Sequence, residues 1–256
     1  MRPDQSSARG ARVVLTTLAV ALVAAIAATP ASAAPSTGLV VNEVYGGGGN
    51  SGATYTNDFV EIANRDSSPV DVSGWSVQYH AATGTGAWQV TPLSGSIAPG
   101  QLYLVAEAAG AGGTTPLPTP QVTGTIPMAA ASGTIALVNG TAALTCQDSA
   151  ACQSASVDLV GYGSTAAINE SAPAPGGSST ASLQRNGTTD TDNNSTDFAA
   201  ATPTPAGAND GGGGPGTGTP GPLRIHDIQG ATWISPHDDV AGDQRPRHRH
   251  RRAVDR

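Results

Sequence analysis

The stretch that decides the fold is LVVNEVYGGGGNSGATYTNDFVEIANRDSSPVDVSGWSVQY, from Leu39 to Tyr79. It contains three short runs rich in Val, Ile, Tyr, Phe and Trp: Leu39 to Tyr45, Phe59 to Asn64 and Trp75 to Tyr79. Gly, Asn, Ser and Pro separate the runs, and these residues favour turns. β-Branched and aromatic runs bounded by turn residues are typical of strands, so the stretch predicts three consecutive strands.

The same pattern continues along the chain, and no helical period is sustained after the N-terminal segment. Four further runs are Leu102 to Ala106, Thr134 to Val138, Val157 to Tyr162 and Ala181 to Gln184. Seven short strands separated by turn signals are typical of a sandwich or barrel, so we predict an all-β domain. The pattern indicates core positions for Phe59, Ile62 and Trp75, with Trp75 as the large residue of a sandwich interior.

Composition excludes several kinds of chemistry. The 256 residues include 33 Gly, 19 Pro and 12 basic residues, and every basic residue is Arg. Without lysine there is no Walker phosphate loop, pyridoxal Schiff base or Ser-x-x-Lys acyl-enzyme. The chain has no Gly-x-Ser-x-Gly motif, and His80 is the first His, with the next at 226. A lone His at a strand end is more typical of a structural or solvated residue than of a catalyst.

The N-terminus reads as an export signal over residues 1–33. It carries three Arg within the first 12 residues, then an apolar run of 16 residues from Val13 to Ala28, then Ala31-Ser32-Ala33. This order is typical of a secretory signal peptide cleaved after Ala33. The alternative is a membrane anchor, but a spanning helix needs about 20 apolar residues. We therefore predict a secreted, extracellular protein without a transmembrane segment.

Export would place the two cysteines in an oxidising compartment. Cys146 and Cys152 are the only cysteines in the chain and lie six residues apart. In an oxidising compartment this spacing favours a disulfide that closes a small loop. A metal site built on the same pair would need His partners nearby, and the sequence offers none there.

The C-terminal part divides into three segments. Residues 209–222 read NDGGGGPGTGTPGP, a flexible linker, and they precede residues 223–242 and an Arg- and His-rich tail over 243–256. The 34 residues after the linker are too few to fold alone, so we interpret them as a second domain that is cut short. The tail fits either a polyanion-binding patch or a segment without a fold.

Charge is distributed unevenly along the chain. Between residues 35 and 210 there are 13 acidic residues against Arg65 and Arg185. Such a body is a poor surface for nucleic-acid phosphates, and we expect no direct nucleic-acid binding from it.

The body resembles a known family in several ordered motifs. These are VNEVY from Val41, NDFVEIAN from Asn57, VDVSGWSV from Val70, Leu93 to Ala106, and a closing block running from Ser182 through Asp197-Phe198 to Pro205. Together they resemble the lamin tail domain in the version found in secreted bacterial proteins. The resemblance spans Leu39 to Asp210, places the domain at residues 37–208 and implies an immunoglobulin-like β-sandwich.

In secreted bacterial proteins this domain commonly precedes an endonuclease/exonuclease/phosphatase catalytic domain. The segments Ile225 to Gly230 and Trp233 to Pro236 look like the start of the OB-like region that joins the two, so residues 223–242 are interpreted as its truncated beginning. That enzyme class needs a metal-binding Glu, a Gly-Asp-x-Asn segment and a Ser-Asp-His segment to use Mg²⁺. None is assembled here, so no catalytic residue is predicted, and Mg²⁺ would serve only the missing domain.

Calcium is a further candidate ligand. Asp190, Asp192 and Asn194 place oxygen atoms at alternate positions, as hard-cation loops do. The pattern departs from an EF-hand, because Ser195 stands where Gly is required and Ala201 where Glu is required. Turn capping explains Asp- and Asn-rich loops equally well.

Two other features admit a chemical interpretation. Glu43 and Glu61, with Asp58 before the latter, could form an acid/base pair, or they could flank Arg65 and Arg185 or face solvent. The glycines from Gly46 to Gly49 resemble a phosphate cradle only superficially, because no helix or Lys follows, and a hairpin loop fits better.

The sequence thus predicts a secreted, non-catalytic accessory module, the truncated N-terminal part of an extracellular metal-dependent nuclease. No cofactor is required, and the expected partner is an extracellular protein, a cell surface or a polymer. Two alternatives stay open: a free-standing adhesion or binding protein, and a small hydrolase with an unrecognised site.

Overall fold

The computed structural model describes Ser36, residues 38–187 and residues 189–209. The predicted signal peptide with its cleavage site at Ala33, the linker after Asn209, the segment 223–242 and the tail 243–256 lie outside the described residues. Within the described part, no helix has both the length and the apolar character that crossing a membrane requires.

The described chain is built almost entirely of strands, in agreement with the predicted fold class. The elements are β1 (Leu39–Tyr45), β2 (Asn57–Asn64), β3 (Val70–Asp71), β4 (Ser76–Ala81), β5 (Gln89–Pro92), β6 (Ser96–Ile97), β7 (Leu102–Ala109), β8 (Val122–Thr123), β9 (Gly133–Val138), α1 (Ser149–Ala155), β10 (Asp158–Tyr162), β11 (Ser182–Arg185), α2 (Asn194–Asp197) and β12 (Phe198–Ala201). Each of the seven predicted runs coincides with a strand to within a few residues at either end. The short strands β3, β5, β6, β8 and β12 carry too little sequence pattern to be predicted.

The strands form two main sheets that face each other. One has the order β12-β11-β1-β2-β7-β8 and the other the order β10-β9-β4-β5, while β3 and β6 make a small separate ribbon. Neighbouring strands are antiparallel except for β7 and β8. Alternate residues of both sheets contribute to one apolar cluster, as expected for an immunoglobulin-like β-sandwich.

The three predicted core residues lie in different environments. Ile62 belongs to the main cluster between the sheets. Phe59 is fully buried but lies on the opposite face of β2, where it packs on Tyr45 with ring centroids 5.4 Å apart. Phe59 and Ile62 are three positions apart on β2, an odd number, so their side chains point to opposite faces of the sheet.

Trp75 differs from the expectation for a sandwich interior. It lies one residue before β4 and is only partly buried at the margin of the main cluster. Its side chain lies on the same face as those of Val77 and Tyr79, but Trp75 belongs to the turn before the strand, where its N–H donates to the carbonyl of Val72. Tyr79, Tyr103, Tyr162 and Phe198 are the buried aromatic residues of the main cluster instead.

The glycine-rich loop after β1 is a tightly packed connection. A Cβ at Gly48 would lie 1.9 Å from the backbone of Asn57, and one at Gly49, whose φ is +66°, would lie 2.2 Å from Gly110. Only glycine permits such backbone-to-backbone contact. The loop joins β1 to β2 and packs against protein backbone at these positions, which supports the hairpin interpretation over a phosphate cradle.

Candidate functional site

The acidic residues of this domain are mainly internal. Of the twelve Asp and Glu among the described residues, eight are buried: Glu43, Asp58, Glu61, Glu107, Asp158, Glu170, Asp190 and Asp197. Of the two described arginines, Arg185 is buried and Arg65 is half-buried. The surface of the described domain therefore carries fewer charges than the sequence suggested: the exposed Asp66, Asp71 and Asp148, and the half-buried Asp192 and Arg65. Buried carboxylates are costly unless they are paired or protonated, so each group must have a structural explanation.

Arg185, the last residue of β11, is the centre of the largest buried polar group. Its Nη2 lies 2.7 Å from Oδ2 of Asp158, and its Nη1 lies 3.5 Å from Oδ1 of Asp190 and 3.4 Å from Oδ2 of Asp197. Its Nε donates to the carbonyl of Val41 at 2.9 Å. We call the five charged residues Arg185, Asp158, Asp190, Asp197 and Glu170 the Arg185 cluster.

The Arg185 cluster joins the two sheets. Asp158 is the first residue of β10 in the four-stranded sheet, whereas Arg185 lies in the six-stranded sheet. Asp158 Oδ2 also accepts from the backbone N–H of Val41 on β1 at 2.7 Å. The guanidinium lies 4.6 Å from the ring centroid of Phe198 on β12, an arrangement that adds a cation–π contact. A charged, fully desolvated pair therefore closes one edge of the sandwich.

Glu170 is held beside this pair by Asn194. The side-chain Oδ1 of Asn194 accepts from the backbone N–H groups of Gly161 and Glu170, each at 2.9 Å. Its Nδ2 donates to the carbonyl of Leu159 and to Oε2 of Glu170. Burial, followed by the nearby carboxylates of Asp158 and Asp190, raises the pKa of Glu170 to about 9. Carboxylate oxygens of Asp158, Glu170 and Asp190 lie within 4.8 Å of one another.

The three residues predicted for calcium do not converge as a contiguous loop. Asp190 is buried in the Arg185 cluster, and its Oδ2 accepts from the N–H of Ser36 at 2.7 Å. Asp192 is half-buried and has a φ of 53°. Both acceptor positions of Asn194 Oδ1 are occupied by backbone N–H groups. The geometry instead groups Asp190 with Asp158 and Glu170, which lie 32 and 20 residues earlier, so local spacing could not reveal them.

Glu43 and Glu61 lie opposite each other on β1 and β2. Their role is structural and differs from both sequence interpretations, which were an acid/base pair and groups that flank Arg65 and Arg185 or face solvent. Glu43 accepts from the N–H of Thr204 at 2.9 Å and from its hydroxyl at 3.0 Å. Glu61 Oε2 accepts from the N–H of Ala206 at 2.7 Å. Burial raises the pKa of both, that of Glu61 to about 8. The pair anchors residues 202–209, the C-terminal strap, to the outer face of the six-stranded sheet.

Asn209 completes this anchor. It was predicted to begin the linker, but it is buried, and its Nδ2 donates to the carbonyls of Asn42 and Arg185 at 3.2 and 3.0 Å. The strap therefore stays attached to the sheet through its last described residue.

Asp58 and Glu107 fix a loop in the sandwich interior. Asp58 Oδ2 accepts from the N–H of Met128, and Glu107 Oε2 accepts from the N–H of Ile126, both at 2.9 Å. The remaining oxygens, Asp58 Oδ1 and Glu107 Oε1, are buried without a hydrogen-bond partner. Burial raises the pKa of Asp58 to about 7 and also raises that of Glu107.

His80 is a structural residue. It is 1% exposed, its Nδ1 lies 2.8 Å from the carbonyl of Ala81, and its ring lies 5.0 Å from that of Trp88. Solvent and substrate have no access to it in this arrangement, so the solvated alternative does not apply.

Cys146 and Cys152 form a disulfide in the structure, with their Cα atoms 5.3 Å apart. Cys152 lies in α1, whose N-terminus is capped by Asp148, and it packs in a small apolar cluster on the outer face of the four-stranded sheet. The indole of Trp88 donates to the carbonyl of Cys146 at 3.0 Å. The bridge thus fastens the α1 segment over Trp88.

Removing this bridge is expected to lower stability without unfolding the domain. Closing so short a loop contributes roughly 2 kcal/mol through the unfolded state, which corresponds to a fall in melting temperature of several degrees for a domain of this size. Thermal unfolding of the double variant Cys146→Ala/Cys152→Ala measures it. Wild-type protein treated with a reductant is the control and should show a similar fall; an unchanged melting temperature in both would contradict the prediction.

Comparison with known proteins agrees with this architecture. The profile of one family, Lamin Tail Domain, matches residues 32–189. Among solved structures, a DUF4876 family protein from Bacteroides thetaiotaomicron is similar, with 13% identity, a TM-score of 0.48, and coverage of 66% of this chain and 72% of that chain. No protein with a curated description matches. The matched residues include more than half of the chain, the whole four-stranded sheet and every strand of the six-stranded sheet except β12: the chain belongs to the lamin tail domain family.

Proposed function

We propose that this chain is a secreted, non-catalytic accessory module that binds an extracellular partner and positions whatever follows its linker. The main support for this proposal is the C-terminal strap, residues 202–209. Glu43 and Glu61 hold Thr204 and Ala206, and Asn42 and Asn209 hold each other, so the linker leaves from a fixed point on the sheet. A Gly- and Pro-rich spacer that starts from a fixed point is suited to tethering a second domain.

The positions of the candidate catalytic groups support a non-catalytic role. Among the described residues, His80 and the acid/base candidates Glu43, Asp58 and Glu61 are buried and make hydrogen bonds that hold backbone segments. A general acid or base must reach the substrate, and these groups do not. A small hydrolase would need other residues.

The proposed nuclease origin rests on the resemblance of residues 223–242 to the OB-like region of secreted nucleases. In that case a catalytic domain after the linker would bind Mg²⁺ and cleave phosphodiester bonds, and this module would only position it. A free-standing adhesion or binding protein is the second candidate, favoured by the self-contained sandwich. Translating the DNA downstream of codon 240 in all three frames separates them: nuclease motifs there support the first, and their absence contradicts it.

The low charge density of the described surface indicates how the partner would be recognised. With most carboxylates and Arg185 inside, the described surface offers hydroxyl, amide and backbone groups rather than charge. Association through such a surface depends little on ionic strength. An extracellular protein, a cell surface or a neutral polymer such as a polysaccharide fits this chemistry, and a nucleic acid does not.

The purified protein is expected to cleave neither DNA nor RNA with Mg²⁺ or Ca²⁺ present, because its candidate catalytic groups are buried. Incubation with both substrates, followed by electrophoresis, checks this, with a commercial nuclease as the positive control. A variant ending at Asn209 serves as the matched chain without the Arg/His tail. Cleavage by both chains that persists after dialysis and is absent from a mock purification would support the hydrolase alternative and overturn the non-catalytic assignment.

A further inference from the structure

The Arg185 cluster contains more negative charge than Arg185 can balance. Its four carboxylates, those of Asp158, Glu170, Asp190 and Asp197, act on one another or on the guanidinium, and the half-buried Arg65 is the other cation within range. Four carboxylates against one guanidinium group leave an excess of three negative charges if all are ionised, or of two when Arg65 is counted. A desolvated site cannot hold such an excess, because the cost of burying unbalanced charge is very large.

The second observation is an unused oxygen. The side chain of Asp158 is completely buried, and its Oδ2 is already bound by Arg185 and Val41. Its Oδ1 is buried and has no hydrogen-bond partner. Buried polar atoms are normally satisfied, so an unpartnered carboxylate oxygen inside an electronegative cluster is an available ligand for a cation.

We propose that Asp158, Glu170 and Asp190 bind one Ca²⁺ ion inside the sandwich, next to the Arg185 ion pair. Their oxygens lie within 4.8 Å of one another, which is the distance that separates opposite ligands of an ion bound at about 2.4 Å. All three ligands are hard oxygen donors from different parts of the chain, and Ca²⁺ tolerates the irregular geometry that results. Mg²⁺ requires near-ideal octahedral geometry and retains several waters, which a buried site does not favour.

The ion would join segments that are distant in sequence. Asp158 begins β10, Glu170 lies in the loop after that strand, and Asp190 lies between β11 and α2. Binding would cross-link the edge of the four-stranded sheet to the loop that leads into β12 of the six-stranded sheet. The calcium site would therefore stabilise the fold rather than act on a substrate, and this inference does not depend on the proposed function.

The test is calcium-dependent stability of the full chain. Protein stripped with EDTA and dialysed is titrated with CaCl₂ to 10 mM while its melting temperature is followed. Extracellular calcium modules bind at about 10⁻⁴ to 10⁻³ M, and at 10–100 times Kd the melting temperature should rise by roughly 3–8 °C. Native mass spectrometry should count one calcium per chain. MgCl₂ at the same concentration should give a much smaller shift.

The matched variant is Glu170→Gln, which keeps the shape and an acceptor for Asn194 but removes a ligand charge. It should lose the calcium-induced shift, whereas Asp66→Asn, an exposed acid outside the cluster, should retain it. If Glu170→Gln does not fold, the calcium-induced melting shift of Glu170→Ala and the number of calcium ions bound to the wild type still test the site. No shift and no bound ion in the wild type would overturn the site, since a proton on Glu170 would then balance the charge. A shift that persists in the Glu170 variants would equally overturn it.

Discussion

Replacing Arg185 with Met is expected to prevent the domain from folding at 25 °C. The guanidinium is fully buried and pairs with Asp158, Asp190 and Asp197. Removing one partner of a buried ion pair typically costs about 3–5 kcal/mol, because the remaining charge is left without compensation. Here three carboxylates would be left, and the total stability of most domains is only about 5–15 kcal/mol.

Circular dichroism and urea unfolding measure this loss. Arg185→Lys separates charge from geometry: it keeps the positive charge but cannot reproduce the fork of bonds to Asp158 and to the carbonyl of Val41. We expect this variant to fold with clearly reduced stability. Arg65→Met is the matched control. Arg65 is half-buried and donates to the carbonyl of Ser36, so its removal should cost about 1 kcal/mol or less.

A double variant tests whether unbalanced charge is the cause. In Arg185→Met/Asp158→Asn, the closest of the orphaned carboxylates becomes neutral, so part of the lost stability should return. If the Arg185→Met protein is folded and as stable as the Arg65→Met protein, the cluster does not hold the sheets together. A double variant no more stable than Arg185→Met would show that packing over Phe198, rather than charge, dominates.

The strands could be predicted from sequence because their signal is local. In β1, LVVNEVY provides seven consecutive residues with strong β preference, and glycines mark its end. The β-sandwich architecture followed from the family resemblance, but the order of the strands within the two sheets was not predicted, since no local pattern encodes which strands pair. The face of each residue was only partly predictable: β2 is buried on both faces, so Phe59 and Ile62 carry the same hydrophobic signal and point in opposite directions.

The candidate site could not be predicted because its partners are far apart in the chain. Asp158 and Arg185 are 27 residues apart, and Glu43 and Thr204 are 161 apart. A sequence also suggests that charged residues lie on the surface, and eight of the twelve described carboxylates break this rule. The contiguous pattern DTDNN suggested a calcium loop, but the fold uses Asn194 to hold backbone and groups only Asp190 with distant acids.

The buried carboxylates also make the domain more stable in mild acid than in mild base. Burial raises the pKa of Asp58 from 3.8 to about 7 and that of Glu61 from 4.5 to about 8. The folded state therefore binds protons that the unfolded state has already released at neutral pH. Stability from such groups is complete below the unfolded pKa and is lost as pH rises through the folded pKa. Unfolding free energy should fall between pH 5.5 and pH 8.5, by about 2 kcal/mol or more.

The surroundings of Asp58 and Glu61 determine whether the unfolding free energy rises or falls with pH. Glu107 faces Asp58 from β7, and Glu43 faces Glu61 from β1, so each acid has a like-charged neighbour that opposes ionisation. The hydrogen bonds from Met128 to Asp58, and from Asn42 and Ala206 to Glu61, favour the ionised forms but do not overcome burial. Asp71 has a lowered pKa and acts in the opposite direction, but it is exposed and its effect is screened.

Urea unfolding at pH 5.5, 7.0 and 8.5, in EDTA to exclude bound cations, measures how the free energy of unfolding changes with pH. Asp58→Asn should flatten the profile between pH 5.5 and 7, because Asn can accept the Met128 N–H without ionising, while Glu61→Gln should flatten it up to pH 8. Asp66→Asn, which changes an exposed acid, should leave the slope as it is. A free energy of unfolding that stays constant or rises from pH 5.5 to 8.5 would mean that Asp58 and Glu61 are ionised in the folded protein. Their buried oxygens would then need a compensating positive group, and Asp58 Oδ1, which has no partner among the described residues, is where that group would have to be sought.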